Sequence, residues 1–462
     1  MSIHNEAVSL DIFASKALVG ETWAHDVRVR VRNGVIADVG VGVTAMVGDI
    51  LTDALLPALS NLHSHSFQRA MAGMTEFRAH GQDSFWTWRD LMYRFVEHLT
   101  PDHVRAIARL AFMEMLTSGY AAVGEFHYLH HQNTGAPYDD LAELSLQIMQ
   151  AAESTGIGLT HLPVLYTYGG VGQRPINAGQ QRFYNDIDGF QRLVDDCQVA
   201  ARGMPFDTQV GVAPHSLRAT CLEDLNRVLE IATDKQIHIH IAEQKREVAD
   251  VLNSLGARPV EWLLNSVPVD HHWCLIHATH MTREETLALA ASKAVAGLCP
   301  VTEANLGDGI FNGATYAKAG GVLGVGTDSN INISLADELR TLEYSQRLEH
   351  QQRNVLTSAN GSTGQTMYLA AAKGGTQALG RKAGRISVGC LADLVAIDTT
   401  HPRICALSPS QLIDGWVFAA NDQVVTDVWA AGRHMVKDGR HVDEAAIRAD
   451  YRAAMTDLTG TL

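Results

Sequence analysis

The sequence predicts an α/β protein: a (β/α)8 TIM-like barrel through the middle of the chain, flanked by a small β domain assembled from both ends. Three observations predict it. Strand-like apolar runs end near Asn61, Glu125, Tyr166, Pro214, Ile241, Ala278, Pro300 and Thr327, with helical patterns between them. Eight strands with seven helical connections, spread over about 270 residues, is barrel spacing. The two ends are strand-rich instead, and the first strand of the middle lacks the GxGxxG turn of a doubly wound dinucleotide fold.

Taken in order, residues 1–56 form the first part of the β domain. Val27–Val31 alternates as VRVRV, Asn33-Gly34 is a hairpin turn signal, and Val35–Val39 returns from it. Residues 57–383 form the barrel, with helical patterns such as Val104–Leu116, Leu141–Ala152, Leu222–Ala232 and Arg283–Ala291. Residues 384–442 complete the β domain through Leu394–Ile397 and Val424–Trp429, punctuated by Gly432 and Gly439. Residues 443–462 are a C-terminal helix that places Ile447, Tyr451, Ala454, Met455 and Leu458 on one face to pack back on the protein.

Composition narrows the function. The 462 residues are 46% hydrophobic and 19% charged, enough to bury a large core and too apolar for disorder. Lys+Arg 36 against Asp+Glu 51 gives −15, which argues against nucleic acid or an anionic membrane as partner. A pocket can still hold arginines for an anionic small molecule. No run of about 18 apolar residues is available to span a bilayer, and the first 20 residues lack the basic and apolar regions of a signal peptide. Six scattered cysteines without a CxxC pair fit buried free thiols in a reducing cytoplasm.

The 22 histidines raise the question of which cluster. Almost every suspicious residue falls at the C-terminal end of a strand, where barrel active sites are built. Asn61-Leu62-His63-Ser64-His65 ends the first barrel strand, and i, i+2 spacing points both imidazoles the same way, as two ligands of one metal require. The fifth strand reads His238-Ile239-His240-Ile241-Ala242-Glu243, the sixth ends in His277-Ala278-Thr279-His280, and the eighth ends in Gly326-Thr327-Asp328-Ser329. Three neutral imidazoles and a carboxylate are a borderline N/O set that suits Zn²⁺, with Fe²⁺ or another divalent ion also accommodated. One coordination position remains for a water whose pKa the metal lowers toward neutrality.

These residues together resemble the amidohydrolase superfamily, and Gly384–Asp398 (GRISVGCLADLVAID) resembles its return to a small β-sandwich domain. The fourth strand ends in Ala213-Pro214-His215 and offers no Lys or Glu to bridge a second metal, as in the mononuclear deaminase branch. The resemblance implies one metal per chain on His63, His65, His240 and Asp328. It also implies Glu243 as proton shuttle, Asp328 as ligand and base, and His277 as a hydrogen-bond partner of the attacking hydroxide. A strand cannot put i and i+3 on one face, so Glu243 must lie past the strand end. NLHSHSFQRAMAG (61–73), DSFWTWRDLMYR (83–94), GEFHYLHH (124–131), PHSLRAT (214–220) and TEANLGDGIF (302–311) further resemble the formiminoglutamate deiminase family of histidine degradation. In that family the substrate contacts fall on Gln68, Arg89, Tyr128, His215 and Arg218, which implies a dicarboxylate substrate; the family also suggests a homodimer. Asn330 stands where histidine would equally fit, which bears on the hydrogen bonding behind the metal site.

Plainer readings apply to other residues. His238 is expected to be a hydrogen-bonded barrel histidine. His127, His130 and His131 have loop-like spacing, His280 supports His277 or faces solvent, and Trp86 and Trp88 either pack or line a pocket. Arg89 and Arg218 alone would be surface ion-pair residues, and Glu349–Arg353 a solvated helix face. Two rival functions share the sequence features: a heteroaromatic aminohydrolase acting on guanine, cytosine or triazine rings, and a non-catalytic scaffold. A neutral ring does not require two arginines, and a scaffold has no need to keep every ligand.

Overall fold

The computed structural model describes residues 9–76 and 84–460. Asp83, at the head of the DSFWTWR run, lies outside the described residues, as do residues 1–8 and 461–462.

Four strands open the chain: β1 (Ser9–Val19), β2 (Thr22–Arg32), β3 (Val35–Val41) and β4 (Ile50–Pro57). The VRVRV alternation reads out directly. Val27, Val29 and Val31 are fully buried, while Arg28 on the other face bonds Asp11 and Asp49. Asn33 (φ 52°) and Gly34 (φ 75°) both take the left-handed conformation that a two-residue hairpin turn demands. Gly34 is further required by close approach, since a Cβ there would lie 2.6 Å from the Ala431 carbonyl oxygen.

The middle of the chain supplies β5 (Leu59–Ser64), β6 (Tyr120–His127), β7 (Gly158–Leu165), β8 (Gln209–Val210), β9 (Ala213–Pro214), β10 (Ile237–Ile241), β11 (Trp273–His277), β12 (Val295–Leu298) and β13 (Val322–Val325). These form two parallel sheets, β5-β6-β7-β8 with β9 also on β7, and β10-β11-β12-β13. Every residue of β6 and β7 is buried, as expected where helices cover one face and other strands the opposite one. Gly211 divides β8 from β9, where a side chain would run into Leu162 and the Gln236 carbonyl oxygen. Parallel bridges join the sheets at both seams: Val212 to Ile237 and Ser216 to His240 on one side, Ser64 to Asp328 on the other. The intervening helices include Pro101–Thr117, Glu143–Thr155, Leu222–Ile231 and Arg283–Ser292.

The chain returns through β14 (Leu394–Ile397), β15 (Val425–Ala430), β16 (Arg433–Lys437) and β17 (Arg440–His441). β14 pairs with β4, so both ends of the chain join one sheet in the order β17-β16-β15-β14-β4-β1-β2-β3. The resemblance implied a sandwich; the hydrogen bonds form one continuous eight-stranded path. Its apolar cluster includes Ile12, Ala14, Val29, Leu394 and Trp429. The helix Glu444–Thr459 buries Ile447 against Leu110 and Met113 of the helix Pro101–Thr117, and also buries Leu458. The 349–353 run straddles the end of the helix Leu335–His350 and is exposed throughout.

A buried ionic cluster fastens the terminal sheet to the parallel strands. Arg381 donates to both Asp393 and Asp207, at 2.9 and 3.2 Å, and Arg433 donates to Asp207 at 2.8 Å. Burial disfavours the Asp207 carboxylate, but Arg433 and Arg381 outweigh it and hold its pKa down to about 2.

Candidate active site

β5 delivers His63, the residue just past its end is His65, β10 delivers His240, and the turn after β13 delivers Asp328. The three Nε2 atoms converge: His63 to His65 is 3.2 Å, His65 to His240 is 3.3 Å, and His240 to His63 is 3.1 Å. Asp328 Oδ1 lies 3.4 Å from His63 Nε2 and 3.2 Å from His65 Nε2. The other ring nitrogens decide where the protons are. His65 Nδ1–H donates to the Phe126 carbonyl at 2.8 Å, and His240 Nδ1–H to the His215 carbonyl at 3.1 Å. Their Nε2 lone pairs therefore face one another with no proton between them, an arrangement that requires a cation. Metal–nitrogen bonds of about 2.0–2.1 Å in a tetrahedral site would set neighbouring nitrogens about 3.3 Å apart. The observed spacings match, so these residues fit a divalent ion. Burial pushes the His63 pKa down to about 3, and burial with neighbouring histidines holds His240 well below its ordinary value. Burial opposes ionisation of Asp328 too, but His63 and His65 hold it well below the carboxylate range.

Left-handed backbone at non-glycine residues recurs where strands end at the site: Ala242 (φ 53°) after β10, His277 (φ 69°) and Ala278 (φ 48°) at the end of β11, Asp328 (φ 47°) after β13. Each costs on the order of 1–3 kcal/mol and persists only where surroundings over-determine it. At Ala242 the surroundings are identifiable. The buried Glu247 carboxylate accepts from the amides of both Ala242 and Glu243 at 3.2 Å, fixing the turn that carries Glu243 over the site. Behind Asp328, Asn330 donates to Ser64 Oγ and to the Asp328 carbonyl, both at 3.1 Å, and Asn61 donates to Thr327 Oγ1 at 2.7 Å. Asn330 thus completes a buried network behind Asp328.

Beyond the cluster lies a cavity of about 240 Å³. His277 Nε2 stands 3.9 Å from Glu243 Oε1 and 3.8 Å from Asp328 Oδ2. Burial and the charges of Asp328 and Glu247 raise the Glu243 pKa, against His277 and Arg218. Burial would keep His277 neutral, yet the carboxylates of Glu243, Glu303 and Asp328 raise its pKa to about 10. Arg218 Nη2 lies 3.8 Å from Glu243 Oε2, and Arg89 stacks on Trp86 at 4.6 Å and on Tyr93 at 5.4 Å. Gln68 donates to the Tyr128 hydroxyl at 2.7 Å. Among the described residues, Gln68 Oε1, Arg89 Nε and Arg218 Nη1 are buried with no hydrogen-bond partner. Three unsatisfied polar groups around one cavity mark it as built for a polar ligand.

Comparison with known proteins accords with this geometry. Residues 54–435 match the model of the Amidohydrolase family, and residues 11–53 match that of the formimidoylglutamate deiminase HutF N-terminal domain. The chain is 46% identical over 436 residues to the formimidoylglutamate deiminase of Pseudomonas aeruginosa, covering 94% of this chain and 96% of that one. It belongs to the formimidoylglutamate deiminase branch of the amidohydrolase family. A solved amidohydrolase from Brucella melitensis is 44% identical, with a TM-score of 0.93, covering 97% of this chain and 100% of that one. A 5-methylthioadenosine/S-adenosylhomocysteine deaminase from Natronomonas pharaonis is 26% identical over 95% of this chain and 96% of its own. An adenosine deaminase from Xanthomonas campestris, solved with bound zinc, shares the fold at a TM-score of 0.81 and 23% identity, over 98% of this chain and 99% of that one.

Against this family, the structure brings all five expected contact residues, Gln68, Arg89, Tyr128, His215 and Arg218, to the wall of the cavity that also holds His65, His240, Glu243, His277 and Asp328. Trp86 and Trp88 line it too. His238 instead bonds the Ala378 carbonyl at 2.8 Å, and His280 the Asp308 carbonyl at 2.9 Å. His130 bonds the Val164 carbonyl, His131 that of Tyr184, and His127 packs among buried rings. Sequence reading passed over Glu125, Glu247 and Glu303. All three are buried carboxylates one contact removed from the site, and Glu125 holds the turn after His65 by accepting from the Ser66 amide at 2.7 Å. A buried acid beside a strand end is the signal that would have found Glu125.

Proposed function

We propose that the chain is a metal-dependent iminohydrolase converting N-formimino-L-glutamate and water to N-formyl-L-glutamate and ammonia, a step of histidine degradation. One observation carries the reading: a His3Asp cluster and two arginines with unsatisfied nitrogens share one cavity. The family supports the same substrate. The two parallel sheets are inferred to close as one (β/α)8 barrel through the bridges at their seams, with residues 57–383 as the catalytic domain and 1–56 with 384–442 as the β domain. A homodimer in the cytoplasm is the setting the family suggests.

His63, His65, His240 and Asp328 would hold one divalent ion per chain, Zn²⁺ being the ion this donor set suits best and Fe²⁺ the next. The ion supplies a water acidic enough to attack at neutral pH. Arg89 and Arg218 each take one carboxylate of the substrate, because a buried carboxylate without a partner costs several kcal/mol and a guanidinium offers a fixed fork. Gln68, Tyr128 and His215 orient the formimino end through neutral hydrogen bonds. Glu243 accepts a proton from the attacking water and gives it to the imino nitrogen as the new C–O bond forms. It then moves the second proton from oxygen to the same nitrogen, the C–N bond breaks, and ammonia leaves with the carbonyl formed. His277, whose Nε2 lies 3.9 Å from Glu243 Oε1 and 3.8 Å from Asp328 Oδ2, would hydrogen-bond the attacking oxygen.

The test is ammonia release from formiminoglutamate and from guanine side by side, with an analogue lacking one carboxylate as a third arm. Release from formiminoglutamate alone is expected. Arg89→Met and Arg218→Met should each lower kcat/KM by about 2–5 kcal/mol in free-energy terms, and the analogue should lose less against one of the variants than against the wild type. Turnover of guanine without formiminoglutamate would replace this reading with the heteroaromatic one.

A further inference from the structure

His277 is tied from behind to a carboxylate that none of the recognised motif roles uses. Glu303 sits in the first turn of the helix Pro300–Leu306, and its Oε1 lies 3.2 Å from His277 Nδ1. Both side chains are nearly inaccessible, His277 at 1% and Glu303 at 6%. The same Oε1 accepts from the Cys299 amide at 2.9 Å, and the Glu303 carbonyl accepts from the Asp308 amide at 2.9 Å. The carboxylate is therefore fixed by its own helix terminus before it meets the imidazole. His277 is held in turn by its left-handed backbone, and its Nε2 is the atom that looks toward Glu243 and Asp328 at 3.9 and 3.8 Å.

We propose that Glu303 is a positioning residue of the deimination. By receiving the Nδ1–H of His277 it fixes the ring's rotation and its proton arrangement, so that Nε2 is presented to the oxygen entering at the formimino carbon. This rests on the deiminase reading and deepens it. A carboxylate behind a histidine fixes the ring's orientation and keeps the facing nitrogen protonated, and loss of such a partner costs about 10–100-fold. Two features distinguish this from a helix cap. A cap for the Cys299 amide needs only a neutral oxygen, which Gln would also supply. It also does not require the acceptor to lie within hydrogen-bond distance of a ring nitrogen.

Glu303→Gln is the discriminating substitution, since it keeps the shape and the acceptor for Cys299 while weakening the acceptor for the imidazole. We expect kcat to fall about 10–100-fold with KM within about threefold, and metal content and thermal midpoint unchanged. Glu303→Asp should recover part of the lost kcat. An independent readout is the Nδ1 proton of His277 in ¹⁵N-histidine-labelled wild-type protein, assigned by its loss in His277→Gln. It should be bound and shifted downfield in the wild type and move upfield in Glu303→Gln. A kcat within twofold of wild type, a loss that tracks metal content, or a wild-type His277 Nδ1 without a proton would each overturn the proposal. The NMR signal does not depend on the substrate, so failure of the deiminase reading, seen as wild-type inactivity toward formiminoglutamate, is separable from failure of this one.

Discussion

Where the parallel strands meet the terminal sheet, Arg381 lies between Asp207 and Asp393 with Arg433 closing the cluster, and each charge meets an opposite one within 3.2 Å. At the strand ends, three imidazole nitrogens lie 3.1–3.3 Å apart, and those of His65 and His240 turn their lone pairs inward. Both clusters are buried and both are polar. The first is complete within the protein and can only hold two parts together. The second is incomplete within the protein, and its unmet valence is what fits it to bind an ion. The difference teaches that burial and charge alone do not mark a functional site; an unsatisfied remainder does.

The largest expected effect comes from breaking the complete cluster. Arg381→Met leaves Asp207 and Asp393 buried with one shared partner fewer, and removing one member of a buried ion pair costs about 3–5 kcal/mol. Urea unfolding should show that loss in stability, while kcat per folded molecule stays near wild type. Converting the whole cluster to apolar residues of similar volume should cost far less, because no charge is stranded. A fall in kcat in Arg381→Met at full folding would mean that the two clusters are coupled.

Next in size is Glu243→Gln, which touches the incomplete cluster without removing a candidate ligand. It should lower kcat by about 10²-fold or more, roughly 2.7 kcal/mol, while metal content and stability hold. Near-normal turnover would assign the proton shuttle elsewhere.

The incomplete cluster was far more legible in the sequence than the complete one, for a physical reason. His63 and His65 lie two apart at the end of one strand, and strand periodicity points them the same way. Glu243 is three past His240, so the geometry of a strand forces it beyond the end, where Ala242 turns left-handed. Asp207, Arg381, Asp393 and Arg433 are separated by up to 226 residues and have no local pattern; only the closed tertiary structure brings them together. Glu303 lies in the 302–311 run that resembles the family, but its pairing with His277, 26 residues away, leaves no local pattern. The succession of parallel strands along the middle of the chain came through because apolar runs record burial directly. The single path of the terminal sheet did not, since alternation reports which face is buried and not which strand lies beside which.

The smallest effect separates the clusters by pH. Burial holds His63 and His161 at about 3 and His238 at about 4. Below about 6.5 the unfolded chain takes up protons at these positions and the folded chain does not. Their contribution to stability is therefore present above about 6.5 and lost as pH falls toward the folded values, at about 1.4 kcal/mol per group per unit. His277, raised to about 10, works the other way: its contribution is full below about 6.5 and lost only as pH rises toward 10, so it does not add to the acid loss. Asp207, held at about 2, loses its contribution only between about 4 and 2. Between about pH 6 and pH 5 the complete cluster should thus be silent, while protonation of the same histidines in the unfolded chain lowers stability. His161 tests this cleanly, because it lies outside the site and, among the described residues, both its ring nitrogens are buried without a hydrogen-bond partner. In chelator-treated protein, His161→Phe should reduce the stability lost between about pH 6 and pH 5 by about 1.4 kcal/mol, measured by urea unfolding at each pH. An unchanged loss would show that His161 carries a proton in the fold, and that acid lability resides in the strand-end histidines alone.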